Sequence, residues 1–357
     1  MASIKDLKFT DLYVCTSDTD VASRYNPIQI MGIRPRNMEV SAVYRESINS
    51  LVQVVHKEED EYFSLDWEDM RLRGVRFVDF NDKTWVVLRR FPSEVPDLAN
   101  LGFRDDVLNA FSGWGKRSGL IVIGGSTGAG KTTTACSMLK YFLLQYGQMA
   151  VTIEDPVEYY LQGPYGTDDG YCIQMLAKEE EDWEHKLKIA LRMKPRYIFV
   201  GEIRTAGAAS SMLRAANSGH LVICTVHGGR VEETLSAIVQ IASSRSGDMS
   251  QSLLADGLLA VVHQRLEGGK PINQILSTQD DPSDPIRNLI RAGKLPQLSS
   301  EINKQGTLRR KVSDNNQQEQ KQTLPPPVRA STAAPASERP RLVTSEEPPR
   351  KKSFFSW

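Results

Sequence analysis

The first 98 residues carry short apolar patterns. Phe9 to Val14 reads as a strand, and Ala42 to Val55 as a helix. Val75 to Phe80 and Trp85 to Phe91 read as the two arms of a hairpin that turns at Asn81, Asp82 and Lys83. Together they predict a small α/β domain over residues 1–98, linker included. Pro92, Pro96 and Asp97 mark a connecting segment before Leu101.

From residue 99 to 307 strand and helix patterns alternate. Apolar, β-branched runs near 120–124, 150–154, 197–201 and 220–226 predict buried strands. Between them, Ala135, Met138, Leu139 and Phe142 recur at spacings of three and four, as do Trp183, Leu187, Ala190 and Leu191. This order predicts parallel strands joined by helical crossovers. Asp284-Pro285 reads as an N-cap and first-turn proline of a further helix that ends at Gly293. Beyond residue 308 the chain is amide-rich, and seven of its 18 prolines fall between 325 and 349. That composition offers too little apolar surface to offset chain ordering, so 308–357 is expected to be a disordered tail. It ends in Arg350, Lys351, Lys352, Phe354, Phe355 and Trp357, a pattern that suits a docking peptide, a membrane-interface contact or an unselected tail end.

Lys plus Arg and Asp plus Glu both number 44. No global basic field recruits nucleic acid, and direct nucleic-acid binding is not expected. The four cysteines lack metal-ligand spacing, the N-terminus lacks a signal-peptide apolar region, and no apolar window approaches a membrane span. A cytoplasmic protein that reaches a membrane only through partners is the expectation.

The most specific signal is Gly125-Ser126-Thr127-Gly128-Ala129-Gly130-Lys131-Thr132, followed by Thr133, set between a predicted strand and a predicted helix. This is a phosphate-binding P-loop (Walker A): glycines let backbone N–H groups turn inward on phosphates, and the helix N-terminus adds positive charge. Lys131 would reach the outer phosphates of ATP and Thr132 would supply a hydroxyl to Mg²⁺. Tyr197 to Glu202 is a buried strand ending in a carboxylate, as a Walker B strand requires. Glu154, Asp155 and Glu158 cluster just past another strand end, where their repulsion calls for a cation or solvent. His227 closes a strand and is placed to act as γ-phosphate donor and sensor, whereas His220 reads as structural.

These motifs, with Thr152 to Glu158, Val200-Gly201-Glu202-Ile203-Arg204 and Ser218 to Val222, resemble the secretion ATPase superfamily of the PilT and GspE type. Within it they are most similar to PilT retraction motors and the DotB and TraJ ATPases of type IVB secretion and conjugation. Ile286 to Arg291 resembles a helix signature of the PilT group. The resemblance covers Phe9 to Thr307. It implies a PAS-like N-terminal domain, a RecA-like ATPase domain and a homo-hexameric ring at the inner membrane, working with platform or coupling proteins. It also implies that Glu158 orients the attacking water and that Glu202 holds Mg²⁺ through water. Arginine fingers are implied as well: Arg76 and Arg89 from the N-terminal domain, Arg192 and Arg204 from the ATPase domain. Gly228-Gly229 departs from the family, whose members carry a hydroxyl after the second histidine. The alternatives are a nucleic-acid motor on the same core, and an ATP-gated adaptor with negligible hydrolysis.

Overall fold

The computed structural model describes residues 2–18, 20–27, 36–92, 94–167, 169–177, 179–281 and 283–307. The expected disordered tail and its terminal aromatics lie outside the described residues.

The N-terminal part comprises β1 (Phe9–Cys15), β2 (Arg24–Pro27), β3 (Met38–Glu39), α1 (Arg45–Val55), β4 (Tyr62–Trp67), β5 (Met70–Val78) and β6 (Thr84–Arg90). The strands pair antiparallel in the order β3-β2-β1-β6-β5-β4. The hairpin read from the sequence is β5–β6, with Val75 opposite Val87 and Phe77 opposite Trp85. Strand period sorts the side chains: Leu12, Val14, Leu72, Val86 and Leu88 join Leu51, Val52 and Val55 of α1 in one buried cluster. The opposite face carries Arg73 and Arg89, which sit directly across from each other.

The larger part comprises α2 (Asp105–Trp114), β7 (Gly119–Gly125), α3 (Lys131–Tyr146), β8 (Met149–Glu154), β9 (Gly163–Tyr165), β10 (Gly170–Leu176) and α4 (Glu180–Met193). It continues through β11 (Tyr197–Glu202), α5 (Ala206–Ala216), β12 (Leu221–His227), α6 (Val231–Ser246), α7 (Met249–Gly257), β13 (Leu258–Glu267), β14 (Lys270–Ser277) and α8 (Pro285–Arg291). The sheet order is β14-β13-β7-β12-β11-β8-β10-β9. Its six inner strands run parallel, and β9 and β14 are antiparallel edges. Sequence pattern located β7, β8, β11 and β12 but not β9, β10, β13 and β14.

Both sheet faces are covered, which is why the central strands read as unbroken apolar runs. Leu120, Val122, Ile198 and Val200 pack toward α4 to α8, while Ile121, Ile123, Tyr197 and Phe199 pack toward α2 and α3. Val95 and Leu98, in the connecting segment, belong to the second of these cores. Lys140 of α3 fixes that stretch by donating to the Val95 carbonyl at 2.9 Å and to Asp97 Oδ1 at 2.7 Å.

Candidate active site

Parallel strands deliver their C-terminal ends to one edge, and the predicted chemistry collects there. Gly125 ends β7, Glu154 ends β8, Glu202 ends β11 and His227 ends β12, with His227 paired to Gly125 in register. Gly128 and Gly130 take φ of +77° and +79°, a left-handed backbone that favours glycine and turns the loop into α3. Ser126, Thr127 and Gly128 are exposed, Ala129 is buried, and Thr132 and Thr133 occupy the first turn of α3.

Lys131 is only 9% exposed, and its Nζ donates to the carbonyls of Gly125 (3.0 Å) and Ser126 (2.9 Å). Burial lowers its pKa, against the opposing pull of the Glu202 and Glu158 carboxylates. Both acidic groups therefore act on the charge of this lysine. Thr133 Oγ1 lies 2.9 Å from the hydroxyl of Tyr159, next to Glu158 in sequence. Burial raises the Glu158 pKa, while the Thr132 side chain and the charges of Arg73 and Arg89 draw it down.

A bulge between Val200 and Glu202 breaks the β11–β12 register, and Thr225 Oγ1 donates to the freed Gly201 carbonyl at 2.6 Å. Such bulges re-aim the next side chain. Glu202 Oε1 lies 2.5 Å from His227 Nε2, and its Oε2 accepts from Arg204 Nε at 2.9 Å. Glu154 points inward: it is 2% exposed, Oε1 accepts from Thr152 Oγ1 at 2.5 Å and Gln174 Nε2 at 3.0 Å, and Oε2 has no hydrogen-bond partner. Burial pushes its carboxyl up to about 7. Asp155, by contrast, faces solvent.

The family described as "Type II/IV secretion system protein" matches residues 60–279 of this chain, well over half of it. The chain belongs to that family. Its fold is that of the secretion ATPase superfamily. It is 32% identical over 239 residues to the uncharacterized protein YggR of Escherichia coli, covering 65% of this chain and 69% of that protein. It is 31% identical over 233 residues to the type IV pilus retraction ATPase PilT of Pseudomonas aeruginosa, covering 64% and 65%. The chain thus spans about two thirds of the length of these relatives. Among solved structures, the pilus retraction motor PilT with bound ADP superposes with a TM-score of 0.65 at 27% identity, covering 84% of this chain and 86% of that one. The Legionella pneumophila ATPase DotB superposes at 0.60, covering 84% of each chain; at 20% identity it supports the fold alone.

Against this family background the arginines separate clearly. Arg204 stands on Glu202, and the charge of Arg89 reaches Glu158 while its Nε donates to Asp11 Oδ1 at 2.8 Å. Arg73, which motif reading did not single out, also acts on Glu158. Arg76 is on the other face of β5. Its guanidinium donates to the carbonyls of Val55 (2.8 Å), Glu58 (2.6 Å) and Glu59 (3.4 Å), closing the end of α1. Arg192 sits exposed in the last turn of α4, before β11 begins, and so at the sheet edge opposite the P-loop of its own chain. His220 Nδ1 lies 2.6 Å from the Pro195 carbonyl, a structural placement.

Gln264 is a second residue that motif reading missed. It donates through Nε2 to the Ala129 carbonyl at 2.6 Å and accepts from Thr134 Oγ1 at 2.9 Å, bracing the P-loop from β13.

Proposed function

We propose that this chain is a Mg²⁺-dependent ATPase that works as a homo-hexamer on a type IV secretion, conjugation or pilus machine at the inner membrane. One observation carries the reading: the left-handed Gly128 and Gly130 turn the loop into α3 with Lys131 buried at its start, and the carboxylates of Glu158 and Glu202 both act on the charge of that lysine. Hydrolysis requires such a set, namely a phosphate cradle, a cation, a metal-holding group and a carboxylate to orient water.

In this reading Gly125 to Thr133 cradle ATP, and Lys131 leaves the Gly125 and Ser126 carbonyls to meet the outer phosphates. Thr132 and Glu202 would hold Mg²⁺. Hard oxygen donors beside a second carboxylate suit that ion, which takes few protein ligands and completes its shell with phosphate oxygens and water. When bound, Mg²⁺ neutralises the β- and γ-phosphate charge. Glu158 orients the attacking water, and its raised pKa favours accepting a proton. His227, fixed against Glu202, senses the γ-phosphate, and Arg204, Arg89 and Arg73 supply positive charge. Glu154 stays behind these groups as a buried support. ATP clamped between the two domains would favour closure, and its hydrolysis would release it.

The test is paired. Glu158→Gln is expected to bind ATP normally but lose turnover, and Lys131→Ala to lose both, measured by phosphate release and by fluorescent-nucleotide titration. Unchanged turnover in Glu158→Gln would remove Glu158 from its role, unchanged turnover in Lys131→Ala would remove the P-loop from the reaction, and no phosphate release from wild type would end the ATPase reading.

A further inference from the structure

Residues 155–162, which carry Glu158, form no helix or strand. Backbone ladders therefore do not set the position of that carboxylate. Side chains do, and they approach from two sides. From α3, Thr132 acts on the charge of Glu158 and Thr133 Oγ1 meets the Tyr159 hydroxyl at 2.9 Å.

From the other side comes a single amide, Gln174. It lies mid-strand in β10, directly opposite Thr152 in the parallel register with β8. Its Oε1 accepts from the backbone N–H groups of Leu161 (2.5 Å) and Gln162 (2.8 Å). Its Nε2 donates to the Tyr159 carbonyl and to Glu154 Oε1, each at 3.0 Å. A carboxamide has two donor hydrogens and two acceptor lone pairs, so these four bonds exhaust it. The grip is reciprocal, because the Gln174 backbone N–H donates to Gln162 Oε1 at 2.7 Å. Three of the four bonds thus hold main chain within four residues of Glu158, and the fourth anchors that hold to the end of β8.

We propose that Gln174 is the positioning residue of the water-orienting carboxylate, fixing Glu158 through the main chain of residues 159–162 and tying it to Glu154. This rests on the role assigned to Glu158 above. A purely structural glutamine would contribute to stability and leave the chemical step alone. A positioning glutamine acts on the step itself, since an error of about 1 Å at a reacting group costs on the order of a hundredfold in rate.

The experiment compares Gln174→Leu, which removes all four bonds at similar volume, with wild type, Glu158→Gln and the double variant, all as the full chain. Three readouts are taken: ADP affinity, kcat for phosphate release, and hydrogen exchange of the Leu161 and Gln162 amides. Gln174→Leu is expected to accelerate exchange at both amides, lower kcat by about a hundredfold and leave ADP affinity unchanged. In the Glu158→Gln background it should lower kcat no further. Freed amides with wild-type kcat would overturn the proposal, as would a full extra loss in the double variant, which would show action independent of Glu158. If Gln174→Leu fails to fold, Gln174→Glu keeps the two acceptor contacts and loses both donations, to the Tyr159 carbonyl and to Glu154 Oε1. It should still depress kcat at unchanged ADP affinity, and normal kcat there overturns the proposal. Normal turnover in Glu158→Gln alone would instead sink the role of Glu158.

Discussion

Glu154→Gln tests whether the buried carboxyl behind the active site is neutral. In the folded chain burial pushes Glu154 up to about 7, with the Thr152 and Gln174 hydrogen bonds pulling the other way; its ordinary value is 4.5. Folded protein therefore holds this proton over a window in which the unfolded chain has released it. Stability gained in that way is complete below pH 4.5 and is lost as pH rises toward 7. The separation is about 2.5 pH units at about 1.4 kcal/mol each, so the full loss is about 3.5 kcal/mol, of which about 3 kcal/mol falls between pH 4.5 and 8. The substitution also places an amide N–H₂ where Glu154 Oε2 has no partner. That donor adds a constant cost of about 1–3 kcal/mol at every pH. The diagnostic is therefore the difference between the two stability curves, taken by urea denaturation from pH 4.5 to 8. Glu158 is also raised by burial but is present in both proteins, and so it cancels. The variant should gain on wild type by about 3 kcal/mol across the window. A difference that stays flat with pH would show that Glu154 is ionised throughout and that the burial argument fails.

Replacing Arg73 or Arg89 by Ala removes positive charge that acts on Glu158. Turnover should fall toward the thousandfold typical of a lost arginine finger, and the acid limb of the kcat profile should move to higher pH; unchanged profiles in both variants would exclude them. Arg76→Ala frees three carbonyls at the end of α1, so it should cost about 2 kcal/mol of stability in thermal unfolding while sparing turnover. Arg287 is 9% exposed and donates to the carbonyls of Ala255, Asp256 and Gln279 and to Thr278 Oγ1. Arg287→Ala should therefore destabilise by about 3 kcal/mol, read by denaturant titration.

What the sequence made visible were features contained in one contiguous stretch. The P-loop announces itself because its glycines, lysine and threonine are adjacent, and Asp284 caps α8 as read, accepting from Ile286 N and Arg287 N at 2.7 and 3.0 Å. Arg73 and Arg76 illustrate the limit. Three residues apart on one strand, they point to opposite faces, and only the side on which α1 packs decides which one reaches Glu158. Strand β13 was hidden although Asp256-Gly257 separates its apolar run from α7, because a short apolar run of that kind suits a buried helix as well as a strand, and Gln174 and Gln264 belong to no motif. The three-carboxylate cluster divided by burial: Glu154 went inside, Asp155 to solvent and Glu158 to the lysine.

The contact of Lys140 with Val95 and Asp97 bears on how force could leave the nucleotide. Helix α3 begins at Lys131 and spans 16 residues, a rod of about 24 Å. It carries Lys131 at one end and grips the 95–97 stretch partway along its length. If the proposed hydrolysis tilts that rod, the motion would pass straight to this stretch as a crank stroke, leaving only the residues next to Pro92 to flex. Shortening or stiffening those few residues would then change step size without touching chemistry.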